Sequence, residues 1–197
     1  MEKKLVFATN NKHKLSEIRA IVPKGFIVVG LSEIGCSHEI HETEETLEGN
    51  ADLKAGHVVE VHSLDCFADD TGLEVDALGG KPGVYSSRYA GEEGDAEKNI
   101  DKLLLELQGN ANRSARFRTV ISLMLEGKVY HFVGIVEGNI LHERRGKEGF
   151  GYDPVFQPLG FEQSFAEMPL EVKNSISHRG RATRKLIDFL TKRSLNH

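Results

Sequence analysis

The sequence predicts an α/β protein built on a mixed β-sheet flanked by helices. Three observations carry that expectation. A strand, a polar turn and a helix open the chain, amphipathic helical stripes recur between β-rich runs, and two of those runs are separated only by a short turn.

Residues 4 to 8 read as a buried strand, and Leu15, Ile18 and Val22 then recur at helical spacing until Pro23 and Gly25 close the helix. Residues 26 to 31 (FIVVGL) read as a second strand, followed by a polar, acidic loop through residue 49. Ala51, Ala55, Val58, Val59 and His62 mark a second helix. Cys66-Phe67-Ala68 is a short apolar strand that ends in Asp69-Asp70, and the glycine-rich stretch 79 to 83 (GGKPG), which follows the next extended piece, is a turn. Ile100, Leu103, Leu104 and Leu107 form the clearest helical stripe, with Asp95 as its N-cap and Gly109 just past its end. Runs 116 to 125 and 129 to 137, joined by Glu126-Gly127-Lys128, predict an antiparallel hairpin and hence a mixed sheet. The last helix carries Ala182, Leu186, Phe189 and Leu190 on one face and ends in a basic turn.

With 197 residues, the chain suits one domain, 1–197, with room for two lobes. A formal net charge of −5 speaks against a nucleic-acid binder, whose affinity rests on basic stripes. A small anionic ligand is compatible with that charge if a metal ion intervenes. Cys36 and Cys66 form no CxxC pair, and the histidines His38 and His41 lack further ligands, so neither a zinc nor a redox site is indicated. No apolar run is long enough for a membrane span, and the expected location is the cytoplasm. The chain has no GxxxxGK, no GxGxxG after the first strand and no GxSxG, which sets aside P-loop, Rossmann and serine-hydrolase chemistry.

Five segments concentrate groups that chemistry uses. Residues 9 to 14 (TNNKHK) stand at a helix N-terminus, where unpaired N–H groups and Lys14 suit a phosphate; an ordinary capped turn reads the same way. Asp69-Asp70-Thr71-Gly72 offers carboxylates to Mg²⁺, a hard ion that takes oxygen ligands, although neighbouring side chains of a strand diverge and a solvated acidic turn is an equal reading. The acidic loop 39 to 48 contains Glu39, Glu42, Glu44, Glu45 and Glu48. After it, Thr46, Asn50 and Lys54 follow at intervals of four along one helical face, a wet stripe unless the Asp-Asp strand packs beside it. Residues 149 to 154 (GFGYDP) suit either base stacking or a structural glycine turn. Lys173 to Arg179 (KNSISHR) gathers donors in a loop before the last helix, for a purine oxygen, a phosphate or plain solvent.

Together these segments, in this order, resemble the inosine/xanthosine triphosphate pyrophosphatase family from residue 5 to about residue 190, through TNNKHK, ETEETLEGNADLKA, ADDTGLEVDALGGKPGVYSSRYAG, GFGYDPVF and KNSISHRGRA. The resemblance implies an elongated α/β fold with a long mixed sheet, an active cleft between two lobes and a homodimer. It implies hydrolysis of non-standard purine triphosphates (ITP, dITP, XTP) to the monophosphate and pyrophosphate, with Mg²⁺. It assigns the metal to Glu42 and Asp70 with Asp69 close by, the catalytic base to Asp70, and the triphosphate to Thr9, Asn10, Asn11, Lys12, His13, Lys14, Lys54 and Thr71. Phe150 is expected to stack on the purine, Gly151, Tyr152 and Asp153 to shape its pocket, and Lys173, His178 and Arg179 to favour a 6-keto base. An adenine amino group would set donor against donor there, at a cost of about 1–3 kcal/mol per unpaired group. Many members carry glycine where this chain has Asn10, a residue that tolerates positive φ. Two rivals stay open: a non-catalytic nucleotide sensor, and a pyrophosphatase of modified pyrimidine or methylated nucleotides like the similarly folded septum-inhibitor family.

Overall fold

The computed structural model describes residues 2–36, 40–91 and 94–195, without the His13 side chain. Among them seven strands form β1 (Lys3–Phe7), β2 (Phe26–Gly30), β3 (Cys66–Val75), β4 (Pro82–Gly83), β5 (Ser114–Leu125), β6 (Lys128–Ile140) and β7 (Phe156–Pro158). The helices are α1 (Lys12–Ile21), α2 (Leu47–His62), α3 (Ala96–Glu106), α4 (Leu170–Ile176) and α5 (His178–Ser194). Strand neighbours run in the order β2-β1-β3-β5-β6-β7, with β4 on β3. β1 is parallel to both β2 and β3, whereas β3–β4 and β6–β7 are antiparallel, so the sheet is mixed as the sequence predicts.

The chain divides into two compact units. The first comprises residues 1–70, 120–133 and 182–197, and the second residues 71–119 and 134–181. In the first unit both faces of β1 are covered, which is why its apolar run is continuous rather than alternating. Leu5 and Phe7 pack with Ile18 of α1 and with Ala182, Leu186 and Leu190 of α5. Val6 and Ala8 pack with Ala55 and Val58 of α2. The Phe7 and Phe67 rings stack at 4.4 Å across β1 and β3.

The second unit is built around Leu73, Val75, Ile100, Leu103, Leu107, Phe117, Phe156 and Phe165. The leucine stripe of α3 enters this core, and Asp95 caps the helix by accepting from the Glu97 and Lys98 amides. The hairpin forms as expected. β5 and β6 meet through Glu126-Gly127, both at positive φ (54° and 73°), the backbone a two-residue turn requires.

Two expectations change. β3 does not end at Asp69-Asp70 but continues to Val75, because Leu73 and Val75 are wholly buried in the second core and Leu73 pairs with Gly83 of β4. The segment KNSISHR is not a loop. Lys173 lies in α4, which starts after Pro169, and His178 opens α5.

Candidate active site

The predicted residues form two sets, one in each unit. In the first unit, β1 and β3 pair with Phe7 opposite Phe67, and continuing that register puts Thr9 level with Asp69. The chain then turns sharply into α1. The Asn11 amide donates to Thr9 Oγ1 at 3.1 Å, and the Lys14 amide donates to Asn11 Oδ1 at 3.1 Å. Asn11 therefore caps the helix. The turn aims Lys14 back at the strand, where its Nζ donates to both Asp69 oxygens at 2.9 and 2.8 Å. Asn10 is exposed and is not among the described non-glycine residues at positive φ, which are Ser63 and Glu126. Asparagine at this position thus needs no left-handed backbone. Lys12 is exposed and lines a groove of about 600 Å³ with Leu15, Arg19 and Glu33, apart from the carboxylates. His38 and Glu39, like the His13 side chain, lie outside the described residues.

Successive strand residues point to opposite faces, so Asp70 meets a different lysine. Lys54 Nζ lies 3.2 Å from Asp70 Oδ1 and 2.7 Å from Glu42 Oε1. The polar stripe of α2 does face the Asp-Asp strand. Thr46 is the helix N-cap, accepting from the Gly49 amide at 3.0 Å. Asn50 is fully buried, and its Oδ1 accepts from the Glu44 amide at 2.9 Å. Burial is the dominant influence on Asp70 and pushes its carboxyl up to about 6, with Lys54 opposing that shift and Glu42 reinforcing it. For Lys54, burial works against the charge, yet the attraction of Asp70, Glu42 and Asp69 prevails and holds its ammonium above the ordinary lysine range.

Among the described residues no three His, Cys, Asp or Glu side chains form a ready-made metal cage. Mg²⁺ does not need one, since one or two carboxylates and substrate phosphates suffice. Asp70 fits that use: its Oδ2 is buried without a hydrogen-bond partner, a costly arrangement unless a further group engages it. Asp69, gripped by Lys14 through both oxygens, is the less accessible ligand.

In the second unit, Thr71 pairs its hydroxyl with that of Thr119 at 2.7 Å, a partner the sequence reading missed. Thr119 falls on the inward, alternating half of β5, so a buried polar residue in that rhythm was the available signal. The GFGYDP segment forms a tight turn. The Phe150 amide donates to Asp153 Oδ2 at 2.7 Å, and Gly149, at φ +85°, lies so close that a Cβ would come within 2.3 Å of that oxygen. The turn leaves Phe150 66% exposed, with Lys173 Nζ 4.8 Å and Arg179 Cζ 5.8 Å from its ring centre. Gly151 shares the turn at φ +59°.

Asp153 and Lys173 form a buried ion pair under the ring, with 3% and 7% of each residue exposed. Tyr152 is buried, and its hydroxyl donates to the Ser86 carbonyl at 2.9 Å. It therefore anchors the turn to residues 82–90, which Asn99 also holds through Ala90 and Ser87. Those supports, too, were missed at the level of sequence. His178 is buried and stacks on Phe117 at 4.7 Å. The second unit thus presents an exposed ring flanked by two cations, the first a lysine–carboxylate cluster.

Residues 5–189 match the model of the Ham1 family. A dITP/XTP pyrophosphatase of Flavobacterium johnsoniae is 56% identical over 188 residues, covering 95% of this chain and 98% of that protein. One of Bacillus subtilis is 45% identical, covering 95% and 97%. The solved Staphylococcus aureus Ham1 protein superposes with a TM-score of 0.93 at 40% identity, over 97% of this chain and all of the other.

Proposed function

The chain belongs to the Ham1 family, and from that premise we propose that it is a hydrolase converting dITP, ITP and XTP to the monophosphate and pyrophosphate. The observation that carries the reading is Asp70, a buried carboxylate with one unpartnered oxygen, bridged by Lys54 to a second carboxylate, Glu42.

The cluster of the first unit takes the triphosphate. Mg²⁺, held by Glu42 and Asp70 together with phosphate oxygens, would neutralise substrate charge and polarise the α-phosphoryl group. Asp70 accepts a proton from the attacking water. That water attacks the α-phosphorus, the bond to the bridging oxygen breaks, and pyrophosphate departs. Lys54 and Lys14 stay charged and stabilise the negative charge that develops on the leaving group. Asp69 holds Lys14 in place for this role.

The cluster of the second unit takes the base. Phe150 offers its exposed face for stacking. Lys173, His178 and Arg179 supply donors to a 6-keto oxygen, which an adenine amino group cannot use. Asp153 and Tyr152 hold these donors and the ring in position rather than presenting open polar atoms to the base. Cytoplasmic location and assembly as a homodimer belong to the same proposal. Among the described residues no helix is long and apolar enough to cross a membrane.

The test is product analysis with dITP, ITP, XTP, GTP and ATP, with Mg²⁺ and with EDTA. Monophosphate and pyrophosphate from the first three, abolished by EDTA, are expected. Diphosphate with orthophosphate would mean a different bond is cut, and tight binding without product would favour a sensor.

A further inference from the structure

One buried amide beside the carboxylate cluster has no part in the reaction as described. Asn50, in the first turn of α2, has no solvent exposure, and its neighbours on the buried side of the helix are Leu47, Ala51 and Ala55. Packing alone would be served by another apolar residue. Instead Asn50 Oδ1 accepts from the Glu44 amide at 2.9 Å, two residues beyond Glu42. A backbone N–H can meet only an acceptor, so this bond assigns the two ends of the side chain: oxygen toward the acidic loop, NH₂ toward the interior. That NH₂ is buried, and the acceptor it faces is the Asp70 carboxylate, whose charged form it favours by donating to it.

A buried amide that holds the acidic loop by its oxygen and faces a buried carboxylate with its NH₂, at a position packing alone would give to an apolar residue, points to a use. We propose that Asn50 is a positioning residue for the phosphoanhydride hydrolysis, setting Glu42 through its oxygen and the Asp70 carboxylate through its amide hydrogens. The proposal rests on the pyrophosphatase reading above. One side chain thereby keeps two carboxylates, one from a loop and one from a strand, at a fixed separation. Flexible carboxylates would otherwise have to be ordered in each catalytic cycle.

Two variants separate its two ends. Asn50→Leu removes both while keeping the branching and the number of side-chain heavy atoms. Asn50→Asp keeps an acceptor for the Glu44 amide and removes the donor. For Asn50→Leu, kcat for dITP is expected to fall roughly 10- to 100-fold, and calorimetric affinity for Mn²⁺ alone to weaken by a similar factor, as for other groups that orient ligands. The KM for dITP should stay within about threefold, because the phosphate and base donors are intact. For Asn50→Asp, kcat should fall at least about tenfold with circular dichroism unchanged, and the melting temperature should drop at pH 8, where the new buried carboxylate opposes Asp70 and Glu42.

If Asn50→Asp keeps kcat within about twofold of the parent, the donor role is overturned. If Asn50→Leu binds Mn²⁺ as the parent does, the positioning of the carboxylates is overturned. Should the parent itself release no pyrophosphate from dITP, the pyrophosphatase reading fails, and the Mn²⁺ affinities of parent and Asn50→Leu still decide the role of Asn50.

Discussion

At the scale of single residues, Asp70 carries two opposing demands. Its carboxyl is raised from 3.8 to about 6 mainly by burial, so the folded protein binds more protons than the unfolded chain across that interval. Its contribution to stability is therefore fully present below about pH 4 and is lost as pH rises through about 6. Asp70→Asn removes the charge at almost constant shape. In metal-free protein at pH 7 it is expected to raise stability by roughly 1–3 kcal/mol, read as an upward shift in melting temperature, while turnover of dITP falls at least about 100-fold. Unchanged turnover would remove Asp70 from the mechanism. Asp69 predicts a different outcome. It is tied to Lys14, so Asp69→Asn should act through phosphate binding and raise the KM for dITP more than it lowers kcat, a split that steady-state kinetics reads directly.

At the scale of elements, the turn 149–154 joins an exposed ring to a buried ion pair. Phe150 is exposed and contributes little to the core, so Phe150→Ala should leave the melting temperature nearly unchanged. Loss of stacking, worth about 1–3 kcal/mol, should raise the KM for dITP roughly 5- to 150-fold. Asp153→Ala is the converse, because it strands the buried Lys173 ammonium and is expected to cost roughly 3–5 kcal/mol of stability, measurable by denaturant unfolding. The β5–β6 turn has its own ionic clasp. Glu126 accepts from Lys3 Nζ at 2.7 Å and from Arg193 at 2.6 Å, joining β1, the hairpin and α5. Those hydrogen bonds hold its carboxyl well below the usual range, at about 2. The support it gives is present above about pH 4.5 and disappears as pH falls toward 2. Glu126→Gln should therefore narrow the difference in melting temperature between pH 6 and pH 3.

At the scale of the whole molecule, each unit has its own core. Phe165→Ala in the second and Leu186→Ala in the first should each lower stability by roughly 2–5 kcal/mol, seen in denaturant melts. The elements were largely legible because their signals are local. The apolar run of β1 and the stripe of α3 follow from burial periodicity, and the Asp95 cap from side-chain chemistry. The strand-end reading of Asp69-Asp70 failed because two charges interrupt an apolar pattern, while the residues that make their burial tolerable, Lys14 and Lys54, lie 55 and 16 positions away. Lys173 was misread as a loop residue because KNSISHR has too few apolar positions to show a helical period. By itself the sequence determined the mixed α/β class, the order of the longer elements and which segments hold reactive groups, but not β4, β7 or α4, since propensity, capping and charge are properties of neighbouring residues. Only the tertiary structure decided which lysine serves which aspartate, that Asn50 turns one end of its amide to the acidic loop and the other to Asp70, and that Phe150 stays exposed above a buried ion pair. Those choices depend on strand register, helix packing and the cost of burying unpaired charge, which act between residues far apart in the chain.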